Sequence, residues 1–98
     1  MGAIGTTCTF TRGQPQLGMT TLIVETPNTT DTSDTIAITL ADYGITTFLG
    51  VYGMVHTTEG SVVVAEAPTT AVSSGVLTIT VGGSTVSDKK RVYVVYGK

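Results

Sequence analysis

The chain has one histidine and one cysteine, and these two residues are its first candidates for chemistry. His56 precedes Thr57 and Thr58 with no carboxylate pattern around it, so a rim histidine is favoured over a general base or metal ligand. Cys8 lies among threonines, with no cationic neighbour in sequence to lower its pKa, which favours a small core residue over a nucleophile. The sequence therefore predicts a protein that is not an enzyme. A small hydrolase that depends on His56 is the remaining catalytic alternative.

The residue types also argue against metal and nucleotide sites. A zinc site takes about four Cys, His or carboxylate ligands, and one His with one Cys does not supply them. The polar loop from Asn28 to Asp34 groups Asp31 with Asp34 among threonines, which suits calcium in part, but an Asx-turn loop is favoured because the EF-hand spacing is missing. The sequence has no P-loop, dinucleotide or Gly-x-Ser-x-Gly motif. No cofactor is expected.

Charge is scarce. Charged residues make up 12% of the chain, against about 25% in ordinary globular proteins, and the formal net charge is −2. The basic cluster Lys89, Lys90 and Arg91 is typical of a solvated turn before a strand, with docking to an acidic partner as the alternative. Nucleic-acid binding requires a concentrated patch of Lys and Arg, so no nucleic-acid partner is expected.

Threonine takes the place of charge on the polar surface. The chain has 21 Thr and 6 Ser, and its mean hydropathy is +0.33. Thr is β-branched and favours strands over helices. A surface of hydroxyl groups costs less to desolvate than one of Lys and Glu. We therefore expect part of this surface to be covered by partner proteins.

Length and cysteine count predict one domain, residues 1–98, made and folded in a cytosol. A chain of 98 residues is too short for two adequate cores, and one cysteine cannot form an internal disulfide. Residues 1–13 lack the basic and apolar regions of a signal peptide. No apolar run approaches the roughly 20 residues of a membrane span, so no membrane partner is expected.

Short period-two apolar runs between turn residues predict an all-β fold, a small antiparallel β-sandwich or barrel of six to seven strands. Residues 1–17 are interpreted as either the first strand or an extended N-terminal arm. The predicted strands are residues 6–12, 19–25, 35–40, 45–56, 61–66, 76–81 and 91–96.

Three of these runs carry more specific expectations. Arg91 to Tyr96 is apolar on both faces, which suits a central strand of a sheet that is covered on both faces. Val62 to Val64 is also apolar on both faces and is expected to be buried. Ile45 to His56 is either two strands or one bent strand, because Gly50 and Gly53 mark a bulge or the close approach of another backbone.

The chain resembles a known class of viral proteins in its opening Met-Gly-Ala-Ile-Gly-Thr-Thr, its run Ile36 to Leu40 before Tyr43-Gly44, and its closing Arg91 to Lys98. These segments are similar to minor virion structural proteins of tailed bacteriophages, above all to capsid decoration (cement) proteins. The resemblance implies a position on the outside of the virion head, as a homotrimer near local three-fold positions. It implies that the protein stabilises contacts between major capsid protein subunits.

The resemblance also implies that the N-terminal arm lies along the major capsid protein, where it could add a strand to an exposed sheet edge. Together with the basic cluster, this gives the partner-binding set Ile4, Thr6, Phe10, Arg12, Lys89, Lys90 and Arg91. Deletion of Met1 to Gln14 is expected to leave the β domain folded and to abolish capsid attachment.

Two further functions are consistent with the same features. A phage tail or fibre component would also be a Thr-rich β oligomer. A carbohydrate-binding or Ig-like adhesion module would be monomeric and would use tyrosines for sugar stacking, although rim positions are the favoured interpretation of these residues. The tyrosines are Tyr43, Tyr52, Tyr93 and Tyr96.

Overall fold

The computed structural model describes residues 3–12, 19–27, 30–31, 33–58, 60–82 and 89–98, which form a small sandwich of two antiparallel sheets. The all-β sandwich prediction is confirmed. The short 3-10 helices are Gly5–Thr7 and Leu40–Tyr43, and no helix in these ranges is long and apolar enough to cross a membrane. The strands are β1 (Thr9–Arg12), β2 (Thr20–Glu25), β3 (Thr35–Thr39), β4 (Phe48–Thr58), β5 (Val62–Ala65), β6 (Thr69–Ser73), β7 (Val76–Thr80) and β8 (Arg91–Gly97).

The larger sheet has five strands in the order β1-β2-β8-β4-β5, and the smaller has three in the order β3-β7-β6. The last strand of the chain therefore lies in the middle of the larger sheet, paired with β2 on one side and with β4 on the other. This confirms the central position predicted for Arg91 to Tyr96. The larger sheet is complete only when the C-terminal strand is in place.

Period-two alternation decides which side of each strand faces the core. In β3, Ile36 and Ile38 are buried while Ala37 and Thr39 are exposed. The inner faces of the two sheets meet in one apolar cluster. Its members are Leu22, Val24, Ile36, Ile38, Leu40, Ile45, Leu77, Ile79, Val81, Tyr93 and Val95.

Strand β4 is one continuous strand of 11 residues, and both of its glycines have a structural reason. The pairing of β4 with β8 shifts in register between Phe48 and Gly50, which marks a bulge. A Cβ atom on Gly53 would meet the carbonyl oxygen of Glu66 and, at 2.9 Å, the ring of Tyr93. Gly50 therefore accompanies the bulge, and Gly53 allows the close approach.

Residues 3–12 close one side of the sandwich by contacting both sheets. Ala3 forms a parallel bridge with Thr35 of β3, where the Ile4 N–H donates to the Thr35 carbonyl at 2.8 Å. Strand β1 then pairs with β2 along four residues. The partly buried residues of this segment that pack against the core are Ile4, Cys8 and Phe10.

The first-strand interpretation of the N-terminal segment thus describes Thr9–Arg12, while residues 13–17 lie outside the described residues. The structure also changes what deletion of Met1 to Gln14 would do. That deletion would expose the edge of β2 and remove part of the core packing, so it would weaken the fold as well as any attachment. Point substitutions are the better test.

The structure differs from the sequence-based prediction at two strands, β5 and β6. The buried position predicted for Val62 to Val64 is wrong at Val63 and Val64, which are 46% and 43% exposed. Val64 pairs with the buried Val55 and so lies on the inner side of the edge strand β5, where the three-stranded smaller sheet leaves it exposed. Val63 pairs with His56 and lies on the outer side of the larger sheet.

Strand β6 lies between the predicted strands 61–66 and 76–81, where the sequence predicts no strand because Pro68 follows the first of them. A two-residue turn at Ser74 and Gly75 joins β6 to β7 as a hairpin. Both turn residues have positive φ, 52° and 77°, which is the type I′ geometry of tight hairpins. The Ser-Gly dipeptide was the signal in the sequence for this hairpin.

We expect Gly53→Ala to lower the free energy of unfolding by roughly 2–3 kcal/mol, because the new methyl group would overlap the Glu66 carbonyl and the Tyr93 ring. Gly50→Ala in the same strand is the matched control. A Cβ there meets nothing within 4 Å, so its effect should stay within about 1 kcal/mol. Urea unfolding measures both variants. Equal losses would contradict the close approach at Gly53.

Candidate docking surface

The register of the larger sheet aligns apolar side chains from three strands in one row on its outer side. Ile23 of β2 pairs with Val94 of β8, and Val94 pairs with Tyr52 of β4. Directly paired side chains lie about 4.5–5.5 Å apart at Cβ, so the three form a continuous row. Ile23 is 38% exposed and Tyr52 is 51% exposed, so this row is accessible to a partner.

Further rows extend this surface along β8, where Val92 and Tyr96 alternate with buried inner residues. The smaller sheet packs on the opposite side of the larger one, so no described strand covers this side. We call this surface the outer face. Its residues are Thr21, Ile23, Glu25, Gly50, Tyr52, Met54, Val92, Val94 and Tyr96.

The outer face has one acidic residue, Glu25, and Lys90 neutralises it. The two side chains form a salt bridge, and the hydrogen bond and positive charge of Lys90 lower the pKa of Glu25. His56 lies towards the end of β4, half-buried, and its Nδ1 accepts a hydrogen bond from the Gly60 N–H at 3.3 Å. This is the rim position expected for His56. The row of Ile23, Val94 and Tyr52 carries no charge.

Arg91, at the start of β8, is completely buried. Its Nε lies 3.0 Å from Oε1 of Glu66, and its Nη2 lies 3.5 Å from Oε2. Its Nη1 donates to the carbonyls of Thr30 and Lys89. The main chain is held as well, since the Arg91 N–H donates to Oγ1 of Thr26 at 2.7 Å.

This buried network joins the start of β8 to the residue after β5 and to the loop after β2. Glu66 is only 6% exposed, so both charges of the pair are removed from water. The prediction that Arg91 contacts a partner is therefore wrong, because its side chain has no accessible surface. The sequence did contain a signal for this burial. Arg91 is two and four residues from Tyr93 and Val95, so in a β-strand its side chain points to the same, inner side as theirs.

The other predicted partner-binding residues occupy mixed environments. Lys89 and Lys90 are half-buried in the segment that leads into β8, and the Lys89 N–H donates to the Thr30 carbonyl at 3.1 Å. Arg12 is exposed. Ile4 and Phe10 pack against the core, and Thr6 lies in the first 3-10 helix. Among the members of this set whose side chains the structure describes, Arg12 is thus exposed, Arg91 is buried and the other four are half-buried.

Cys8 behaves as the predicted core residue. It is half-buried, and its Sγ donates to the Ile4 carbonyl at 3.3 Å. Burial raises the pKa of this thiol to about 11, so it is protonated at neutral pH. Burial also raises the pKa of Tyr93 above its usual range, and the Tyr93 hydroxyl has no hydrogen-bond partner among the described residues.

The polar loop is closed by hydrogen bonds between Asp31 and Asp34, and the Asp34 carboxylate reaches back along the chain, so this contact differs from the Asx turn that the sequence predicts. Oδ2 of Asp34 accepts a hydrogen bond from the Asp31 N–H at 2.8 Å, and the Asp34 N–H donates to the Asp31 carbonyl at 3.2 Å. Asn28, Thr29 and Thr32 of this loop lie outside the described residues. Within the described ranges, no three His, Cys, Asp or Glu side chains group closely enough to hold a metal ion.

The tyrosines are distributed over three environments. Tyr93 is in the core, and the ring of Tyr43 lies 5.9 Å from that of Phe10. Tyr52 and Tyr96 lie on the outer face, and the pairs Tyr52–Val94 and Gly50–Tyr96 make them diagonal neighbours there. Two of the four tyrosines therefore share an accessible surface.

No protein-family model, curated protein or solved structure matches this chain. The function is therefore inferred from the geometry of the described surface and from the sequence.

The sequence contained only an indirect signal for the outer face. Strand β8 has apolar residues on both of its faces, although only one face of a strand is needed to form the core between the two sheets. The second apolar face of β8, with Val94 at its centre, was interpreted as a sign of burial by the rest of the domain. Only the register shows that Ile23 and Tyr52 join it on the outside of the sheet.

Glu66→Gln should lower the free energy of unfolding by about 3–5 kcal/mol, because it leaves the Arg91 charge buried without its counter-ion. The double variant Glu66→Leu, Arg91→Met removes both charges and should recover most of that loss. Urea unfolding at constant pH compares the two. A loss below about 1 kcal/mol in the single variant would show that Arg91 is not held as described.

Cys8 should react slowly with iodoacetamide in the native protein. With a pKa of about 11 instead of the ordinary 9.0, its thiolate fraction at pH 8 is about a hundredfold smaller than that of the unfolded chain. Mass spectrometry of the alkylated protein, in buffer and in denaturing urea, gives both rates. Equal rates would contradict the burial of Cys8.

Proposed function

We propose that this chain is a non-enzymatic structural module that docks on other protein subunits through its outer face. The observation that carries the proposal is the uncharged, accessible row formed by Ile23, Val94 and Tyr52. Contiguous apolar surface of this kind, bordered by polar residues such as Thr21 and Glu25, marks interaction sites in soluble proteins. A partly exposed tyrosine near the centre of such a surface is a common anchor of binding energy.

The outer face together with the same side of the flanking strands β1 and β5 is large enough for a specific contact. Strands are spaced about 4.8 Å apart and rise about 3.4 Å per residue, so the outer side of all five strands measures at most about 24 by 24 Å. Covering it would remove roughly 550 Å² from each partner, or a little over roughly 1,000 Å² in total, the lower bound of specific interfaces. A docked module of this size would be held more firmly where several copies or several contacts act together.

The form of docking that we propose is capsid decoration. The resemblance to decoration proteins of tailed bacteriophages supports it, and so does the low charge of the surface. In this proposal the partner is the major capsid protein, and a homotrimer on the outside of the head stabilises contacts between capsid subunits. Salt would weaken such a contact little, because the apolar row has no charges to screen.

A second candidate is carbohydrate binding, which the two outer-face tyrosines favour. Tyr52 and Tyr96 are diagonal neighbours on one face, as a sugar-stacking platform requires. Truncation of either ring should then abolish binding to a glycan array. Capsid docking has the stronger support because the apolar row continues to Ile23, beyond the reach of a stacked sugar.

Tyr52→Lys should weaken co-sedimentation with shells of the major capsid protein by at least about tenfold, because it places a charge in the centre of the buried contact. Val72→Lys is the matched control. Val72 is 49% exposed, close to the 51% of Tyr52, but it lies on the smaller sheet. Retention by both variants would contradict docking through the outer face. Equal loss by both variants would do the same.

A further inference from the structure

The N-terminal segment leaves a cleft where it closes one side of the sandwich. The cleft has a volume of about 360 Å³ and lies between strand β1, the edge strand β3 and the second 3-10 helix. We call it the side cleft. Its walls include Phe10 of β1, Ala37 and Thr39 of β3, and Asp42 and Tyr43 of the helix. None of these residues belongs to the outer face, so the side cleft is a separate feature of the surface.

The side cleft contains an acidic group that is open to a partner. Asp42 is the one charged residue among the described residues that line the cleft. It is exposed, and its carboxylate forms no hydrogen bond or ion pair with the described residues. The Arg12 guanidinium lies over Gly44, where a Cβ atom would be 3.5 Å from its Nη2, and Arg12 does not line the cleft. The Asp42 carboxylate is therefore accessible to a cation that enters from outside.

Phe10 and Tyr43 give the side cleft an aromatic wall. Their ring centroids are 5.9 Å apart, and the ring planes are inclined by 33°. Both side chains are half-buried and pack against the core, so the rings are held in place while part of their surface lines the cleft. The electron-rich face of an aromatic ring attracts cations, and the guanidinium group of arginine also stacks on it.

The edge of β3 adds main-chain groups to the side cleft. The Thr35 carbonyl accepts a hydrogen bond from the Ile4 N–H, so it points away from β7. Because main-chain groups alternate in direction along a strand, the N–H and C=O of Ala37 point the same way. Ala37 is exposed, and the neighbouring Gly5 has no side chain to cover these groups. The Ala37 carbonyl is therefore a second acceptor in the cleft.

A carboxylate, a carbonyl and aromatic rings in one small cleft specify a planar cation. We propose that the side cleft binds the guanidinium group of an arginine side chain on a partner protein. A guanidinium is planar and weakly hydrated and has five N–H donors, so it pairs with Asp42, donates to the Ala37 carbonyl and stacks on the Tyr43 ring. A lysine ammonium is a strongly hydrated point charge and fits these groups less well.

The size and openness of the cleft favour a side chain that a protein carries. The volume is near the lower end of the roughly 300–1,000 Å³ of small-molecule sites. Such sites bury roughly 70–90% of their ligand, whereas Ala37, Thr39 and Asp42 are exposed, so a free molecule would remain largely in water. An arginine on a protein surface gains further contacts from the rest of that surface. This inference does not depend on docking through the outer face.

Three peptides of the form acetyl-Gly-Ala-X-Ala-Gly-amide, with arginine, lysine or citrulline as X, test the chemistry. Citrulline has the shape of arginine without its charge. NMR titration of the isotope-labelled full chain should show binding of the arginine peptide at least about fivefold tighter than of the other two. The amide signals that shift should include those of Ala37, Thr39 and Asp42.

Asp42→Asn removes the charge with little change of shape and should weaken binding of the arginine peptide at least about fivefold. Glu25→Gln is the matched control, because it removes the same charge from the outer face, and it should change binding less than about twofold. Tyr43→Leu keeps apolar bulk and should weaken binding at least about threefold. Tyr52→Lys should bind the peptide like the wild type, which separates this inference from outer-face docking.

Arg12→Ala tests whether this chain supplies the arginine itself, since the other arginine, Arg91, is buried. The variant should bind the arginine peptide within about threefold of the wild type, because the Arg12 guanidinium lies beside the cleft and not in it. A gain of at least about tenfold would overturn the proposal, because Arg12 would then occupy the cleft. A wild-type dimer in sedimentation equilibrium that Arg12→Ala dissociates would also overturn it, since a second copy would then be the partner.

Two results with the peptides would overturn the proposal as well. The first is binding of the citrulline peptide as tight as that of the arginine peptide, or no saturable shift with either. The second is undiminished binding of the arginine peptide by Asp42→Asn.

Discussion

The buried ion pair between Arg91 and Glu66 fixes the strand on which the rest of the sandwich depends. Arg91 opens β8, and β8 lies between β2 and β4 at the centre of the larger sheet. A buried pair of this kind contributes little net stability relative to apolar residues, but breaking it is costly because one charge is left without a partner. It therefore favours one register of β8 over its alternatives. A shift by one residue would place the guanidinium outside and Val92 inside.

The register of β8 determines which of its residues face the core and which lie on the outer face. With Arg91 inside, Tyr93 and Val95 complete the core, and Val94 takes its place in the outer row between Ile23 and Tyr52. The low charge of the chain fits this arrangement. A domain whose outer face is to be covered gains from residues that are cheap to desolvate, and threonine and valine supply them. The scarcity of charged residues also means that the edge strand β6 has no charged side chain, the feature that often prevents edge strands from pairing with other chains.

The sequence predicted the elements whose signals are local. Alternation predicted β3, apolar residues on both faces predicted the central β8, and the glycines of β4 marked the bulge and the close approach. Features that depend on distant residues were missed. Burial of Arg91 requires Glu66, which follows a strand 25 residues earlier in the chain. Exposure of Val64 depends on the number of strands in the opposite sheet, which no local pattern specifies.

The outer face could not be predicted from the sequence, because it also depends on residues that are distant in the chain. Ile23, Tyr52 and Val94 are spread over most of the chain, and only the pairing of three strands brings them into one row. Strand β6 is a different case, because its turn signal was present in Ser74-Gly75 and the weak alternation of Thr69–Ser73 concealed it. The missed features are mainly those that tertiary arrangement creates, and they include the outer face, to which we assign binding.

Oxidative footprinting of the chain on capsid shells is the most direct test of docking through the outer face. Tyr52, Met54 and Tyr96 report on that face, and Tyr43, beside Phe10, is an internal reference away from it. Docking as described should protect the three outer-face residues from hydroxyl radicals several-fold and leave Tyr43 unchanged. Bound chains in which Tyr52 and Met54 react as fast as in the free protein would contradict it.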